Sequence, residues 1–182
     1  GINRNPTLFI NHKLAYDRYN NLNPWYYEML TPGFNYRITD IQAAWGISQL
    51  KKLDSFIKKR QSLAEFYKEQ IKKVFPPNIL RPLDNIPNTT HAYHLFVILI
   101  NFKKLSITKA QLMNELKHHG IGTQVHYIPL HLQPYYAHKK HYISELVNAE
   151  QYYEQALTIP LFAKMTKKDC MRVVNTLQKL IL

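Results

Sequence analysis

The sequence predicts an α/β fold, a sheet with helices packed on it, and three observations lead there. The run Tyr93-His94-Leu95-Phe96-Val97-Ile98-Leu99-Ile100 is β-rich and apolar on both faces, the pattern of a central strand. A helix-length segment then opens at Thr108 and ends at His118-His119 before Gly120, and it leads into a second strand-like run from Ile121 to Tyr127. Ahead of both, from Asp40 to about Lys73, apolar residues recur close to every 3.6 positions, the period of a long amphipathic helix.

Taken in order, residues 1 to 31 are rich in Asn, Tyr and Pro and show no clean period beyond Thr7-Leu8-Phe9-Ile10, which predicts an irregular arm lying against another surface. Its cluster Trp25-Tyr26-Tyr27 is too apolar for open water. Pro32-Gly33 marks a turn, and Thr39 followed by Gln42 reads as a capping box that starts the long helix near Asp40. One buried stripe is expected along it: Ile41, Ala44, Trp45, Leu50, Leu53, Ile57, Leu63, Phe66, Tyr67, Ile71 and Val74, with a kink near Asp54-Ser55 and a stop at Pro76-Pro77. Residues 76 to 90 read as a proline-punctuated linker. After the two strand-like runs, Pro129 to His141 reads as a loop, about Ser144 to Ala156 as a helix, Leu157 to Leu161 as a short strand, and Thr166 to Leu180 as a final helix opened by a Thr166…Asp169 capping box.

Composition narrows the functional classes. A chain of 182 residues that is 46% hydrophobic has enough apolar material for a sizeable core, so disorder is excluded. The formal charge of +12 favours an anionic partner, whether nucleic acid, an acidic membrane surface or a phosphorylated metabolite. The single cysteine, Cys170, rules out an internal disulfide framework and suits a reducing compartment. No apolar run approaches the roughly 18 residues of a membrane span, and no basic-then-apolar leader is visible, so a cytoplasmic location is expected.

Two blocks carry a resemblance. Gly33-Phe34-Asn35-Tyr36-Arg37-Ile38-Thr39-Asp40-Ile41-Gln42-Ala43-Ala44, with Gln49-Leu50 following, resembles the G-(F/Y)-N-Y-R-x-x-(D/E)-x-Q-A-A segment of the DegT/DnrJ/EryC1/StrS family of pyridoxal-phosphate-dependent sugar aminotransferases. Gly120-Ile121-Gly122-Thr123-Gln124-Val125-His126-Tyr127-Ile128-Pro129-Leu130-His131, with Gln133-Pro134-Tyr135-Tyr136, is similar to the members that act on UDP-4-keto-6-deoxy-N-acetylhexosamines in pseudaminic acid synthesis. The resemblance implies the C-terminal small domain of a fold-type I aminotransferase. Residues 1–38 would be an arm and site loop from the end of a large domain, 39–75 a long connecting helix, and 76–182 a small α/β domain. It further implies pyridoxal 5'-phosphate as cofactor, glutamate and a UDP-sugar as substrates, and a homodimer.

The resemblance also assigns roles. The asparagine matching Asn35 reaches the cofactor phosphate of the neighbouring subunit, with the arginine matching Arg37 beside it, and both side chains are good phosphate donors. The histidine matching His126 approaches the partner's active site, where the sugar or its diphosphate lies, and Tyr127 and His131 follow it as further substrate-binding candidates. The residues alone leave alternatives open: Asn35 as a turn residue, Arg37 paired with Asp40, His126 bonded to loop backbone. The lysine to which the family joins its cofactor belongs to a motif upstream of these blocks. Twelve of the 18 lysines here fall in adjacent pairs, the habit of solvated surface charge, so no catalytic residue is expected in this chain and the chain alone is expected to be inactive. His138 and His141 sit three apart with no Cys or Glu to complete a ligand set, so no metal is expected. Against the aminotransferase stands a second reading, a non-catalytic basic module that binds nucleic acid or an anionic surface. Lysine pairs scattered over helices, with no nucleic-acid motif, speak against it, and neither nucleic acid nor membrane is expected as a partner.

Overall fold

The computed structural model describes residues 2–34, 36–133 and 146–182, and the chain divides into two compact units, Gly1–Gln49 and Leu50–Leu182. The first unit is built from short pieces. Strand β1 (Ile2–Asn3) pairs antiparallel with β2 (Glu28–Met29), Ile2 opposite Met29. Between them lie a 3-10 turn (Pro6–Leu8), capped by the Asn5 side chain, and one turn of helix, α1 (His12–Ala15), whose Leu14 N–H donates to the Asn11 side chain. Such short elements bury little, and Phe9 and Ala15 are the buried apolar residues described here.

Polar bonding compensates through Glu28. Its carboxylate accepts the backbone N–H groups of Asn11 at 2.7 Å and Ile10 at 2.9 Å, and the Tyr26 hydroxyl at 2.9 Å. These donors, the Asn11 and Ile10 amides foremost, hold the Glu28 carboxyl below the usual carboxylate range. The residues expected to form a wholly irregular arm thus form a small latched structure, although Trp25 and Tyr27 stay exposed.

Helix α2 (Asp40–Leu50) starts where the capping box places it. The Thr39 N–H donates to Gln42 Oε1 at 3.0 Å and the Gln42 N–H to Thr39 Oγ1 at 3.3 Å. The expected continuous buried stripe is corrected here: Ile41, Trp45 and Leu50 are exposed and no residue of α2 is buried. A periodic apolar face states what a helix can bury, while burial itself requires a partner surface. The helical path breaks at Lys51-Lys52, just ahead of the expected kink, and resumes as α3 (Leu53–Val74), whose buried face is Leu63, Ala64, Tyr67 and Ile71. Lys72 and Lys73 in its last turn oppose the negative end of the helix dipole before Pro76.

The second unit contains a three-stranded antiparallel sheet in the order β3 (Leu80–Pro82), β4 (Phe96–Ile100), β5 (Ala156–Ile159). Leu80 stands opposite Ile100, and Phe96 opposite Ile159, so β4 is central as its two-sided apolar pattern requires. Three strand expectations are corrected. The proline stretch holds β3, an edge strand, where Pro82 can sit without a ladder N–H. The central strand begins at Phe96 rather than Tyr93, whose φ of +48° is outside the strand region. The run Ile121 to Tyr127 makes one bridge, Gln124 with Thr158, instead of a full strand.

Helix α4 (Lys109–His118) carries a full capping box at Thr108 and Gln111, and Gly120 takes the left-handed backbone (φ +70°) that ends it. Helix α5 (Val147–Gln155) packs on β4, and α6 (Lys167–Ile181), capped by Thr166 and Asp169, packs on α3 and α4. Tyr67, Ile98, Leu112, Leu157, Val174 and Leu177 form the heart of the core. Among the described residues no helix is long and apolar enough to cross a membrane.

Candidate functional site

The first unit presents the loop that leads into α2. Its Arg37 is exposed and, among the described residues, makes no ion pair with Asp40 or any other carboxylate. Phe34 and Tyr36 beside it stack on each other with ring centres 5.2 Å apart while both stay exposed. The loop therefore holds an exposed guanidinium next to a stacked aromatic pair. Asn35 lies outside the described residues.

The second unit builds a cleft of about 280 Å³ at the end of β5, lined by His94, Gln124, His126, Thr158 and Pro160. The backbone bridge between Gln124 and Thr158 holds its wall: the Gln124 N–H donates to the Thr158 carbonyl at 3.1 Å, and the Thr158 N–H to the Gln124 carbonyl at 2.8 Å. Two residues past Gln124, the His126 Nδ1 lies 2.8 Å from the hydroxyl of the same Thr158. The Tyr67 hydroxyl, reaching from α3, donates to the Pro160 carbonyl at 3.1 Å, and burial pushes that phenol's pKa up. A half-buried imidazole in a cleft with mixed apolar and polar walls can orient and hydrogen-bond a polar ligand.

The other candidate residues differ in setting. Tyr127 is exposed and meets the His126 ring edge-on at 4.7 Å. His131 sits in a 3-10 turn (Leu130–Leu132), and its Nε2 is 2.8 Å from the Glu150 carboxylate on α5, which ties this loop to the helix. His138 and His141 lie outside the described residues, and no cluster of metal-ligating side chains occurs among the described ones. Burial lowers the pKa of Lys109, whose ammonium lies 4.9 Å above the Tyr153 ring and donates to the Tyr153 carbonyl.

Sequence reasoning missed His94 and Thr158 as site residues. Thr158 had a signal, since it is the one polar side chain in the otherwise apolar strand Ala156-Leu157-Thr158-Ile159. His94 had none, because nothing local distinguishes it from a strand residue.

Residues 7–178 match the model of the DegT/DnrJ/EryC1/StrS aminotransferase family. An uncharacterized protein of Methanocaldococcus jannaschii is 39% identical over 92% of this chain and 43% of its own length. The spore coat polysaccharide biosynthesis protein SpsC of Bacillus subtilis is 34% identical over 93% of this chain and 43% of its own. Among solved structures, Helicobacter pylori PseC, described as an aminotransferase of pseudoaminic acid biosynthesis, superposes with a TM-score of 0.75 at 27% identity, over 88% of this chain and 42% of that one. The Streptomyces venezuelae protein DesV, solved with a ketimine intermediate, gives a TM-score of 0.72 at 26% identity, over 89% of this chain and 41% of that one. The chain thus spans less than half the length of the relatives it matches.

Proposed function

The chain belongs to the DegT/DnrJ/EryC1/StrS aminotransferase family, and from that premise we propose that it is part of a pyridoxal-phosphate-dependent sugar-nucleotide aminotransferase. The reaction is amino transfer from glutamate to the C4 ketone of a UDP-4-keto-6-deoxy-N-acetylhexosamine, in surface-glycan or flagellin sugar synthesis, within a cytoplasmic homodimer. The similarity to PseC over 88% of this chain is the observation that supports the substrate reading. Residues 1–38 serve as the arm and site loop that continues from a large domain, 39–75 as the connecting helix, and 76–182 as the small domain.

The residues present fit half of a cofactor site. Arg37 is an exposed guanidinium with no carboxylate partner among the described residues, and a planar fork of donors suits a phosphate group, with Asn35 as its neutral companion. When bound, pyridoxal phosphate supplies the electron sink that amino-group exchange needs. This chain contributes positioning: Arg37 and Asn35 toward the phosphate, His126 toward the sugar or its diphosphate, with Tyr127 and His131 on the same loop. None of its lysines bonds covalently to the cofactor, so the chain alone transfers no amino group.

Two measurements test the proposal. Borohydride treatment of this chain with pyridoxal phosphate, followed by peptide mapping, is expected to leave every lysine unmodified at stoichiometric level; one lysine labelled one-to-one overturns the assignment of the covalent partner to another segment. The chain is then combined with the large-domain polypeptide of its own enzyme, and nitrogen-labelled glutamate should deliver its label to C4 of the UDP-sugar. The label should fall at least tenfold with Arg37→Ala, the loss of a charge-assisted phosphate contact of roughly 1.5–3 kcal/mol. Absence of label with every UDP-4-keto sugar sinks the substrate class.

A further inference from the structure

We infer that Thr158 is a positioning residue that locks His126 as the Nε2–H tautomer, so that the ring offers the cleft a hydrogen-bond donor and the group it receives is an acceptor oxygen of the sugar or its diphosphate. This rests on the reading of His126 as a substrate contact and deepens it, because it assigns the ring a donor's role and removes it from the candidates for general base.

Thr158 stands in β5, a strand buried along its length, and is one of two buried polar residues among those described. Both its backbone groups are committed to Gln124, and its Cα is paired with Val97 on β4, so its position is held from both sides. A β-branched side chain in a strand has few rotamers, and the hydroxyl therefore points one way. Among the described residues that hydroxyl has one partner, the His126 Nδ1 at 2.8 Å.

The tautomer follows from counting protons. A hydroxyl carries one proton and an imidazole in its neutral form carries one. If Nδ1 held the ring proton and donated it to the threonine oxygen, the hydroxyl proton would have no protein acceptor among the described residues, on a residue that is itself buried, the costlier arrangement. If the hydroxyl donates to Nδ1, the buried hydroxyl is satisfied and the ring proton resides on Nε2, the nitrogen left for the cleft. The Nε2 atom has no protein partner among the described residues, and the ring lines the cleft. A proton held there suits the lone pairs of a sugar hydroxyl, carbonyl or phosphate oxygen. It does not suit abstraction of a proton, because the remaining lone pair of the ring is already bonded to Thr158.

The test reads the ring directly. This chain, labelled with nitrogen-15 histidine, gives long-range proton–nitrogen spectra that separate the two tautomers, with His126 assigned by its loss in His126→Gln. At a pH where the ring is neutral we expect a single Nε2–H signal pattern in the native chain, a mixture with Nδ1–H in Thr158→Val, and the single pattern again in Thr158→Ser. An Nδ1–H pattern or a mixture in the native chain overturns the inference even if Thr158→Val does not fold; so does an unchanged ring in a folded Thr158→Val. In the assembled enzyme, Thr158→Val should raise KM for the UDP-sugar about fivefold with kcat little changed, and Thr158→Ser should restore it. His126→Phe separates the two layers. If KM is unaltered in that variant while the native ring is purely Nε2–H, the substrate contact falls and with it the ligand half of the inference, whereas the threonine lock is judged by the spectrum alone.

Discussion

Tyr67 joins the core of the second unit to the wall of its cleft, and truncating it in two steps separates these contributions. The side chain is fully buried on α3, its ring stacks on Phe96 with centres 5.1 Å apart, and its hydroxyl donates to the Pro160 carbonyl. Tyr67→Phe removes the hydroxyl alone. Pro160 is half-buried, so water can reach the abandoned carbonyl, and the cost should stay near the net value of one hydrogen bond, about 1 kcal/mol. Tyr67→Ala also removes the ring from a packed interior and adds a cavity, which raises the cost to about 3–5 kcal/mol. Urea unfolding followed by circular dichroism gives both numbers, with the slope unchanged between variants if the same surface is exposed. In heat, Tyr67→Phe should lower Tm by about 2–4 °C for a chain of this size. Equal losses in the two variants, or a loss below about 1 kcal/mol in Tyr67→Ala, would refute the packing argument. Because Pro160 lies two residues from Thr158, Tyr67→Phe and Thr158→Val should also be non-additive, by about 0.5 kcal/mol or more.

Two further outcomes concern the first unit. Glu28 has a lowered pKa, so its latch contributes above the carboxyl's ordinary value of 4.5 and weakens as the pH falls below that toward the folded value; Tyr26 and His12 are its titratable neighbours. Hydrogen exchange at the Ile10 and Asn11 amides, corrected for intrinsic rate, should lose protection over that acid range and in Glu28→Gln at neutral pH, whereas protection indifferent to both would show that other contacts hold the loop. The exposed Trp25, Phe34, Tyr36, Ile41 and Trp45 should drive self-association of this chain, visible as a concentration-dependent mass in sedimentation and reduced by Trp45→Glu; a clean monomer at micromolar concentration contradicts it.

Signals that act over three or four residues were legible in the sequence. The capping boxes at Thr39 and Thr166 set two helix starts and Thr108 a third, Gly120 ended a helix where positive φ was needed, and the two-sided apolar pattern of residues 93–100 placed a strand, formed by Phe96–Ile100, at the centre of its sheet. Each of these depends on bonds or sterics between near neighbours in the chain. The two blocks that carry the family resemblance were legible for the same reason, since they are contiguous.

What the residues could not announce were relations between distant segments. That Ile41 and Trp45 would stay exposed while Leu63 and Tyr67 were buried depends on which surfaces meet the helices, because all four lie on one periodic pattern. That Pro82 would occupy a strand depends on there being an edge for it. The histidine of the cleft was readable as a candidate, but its threonine partner is 32 positions away, and only the pairing of β5 with the Gln124 segment brings the hydroxyl to the ring. Local chemistry is written in the order of residues; the choice of tautomer, the buried face and the cleft wall arise when the chain closes on itself, since each is a property of two surfaces in contact.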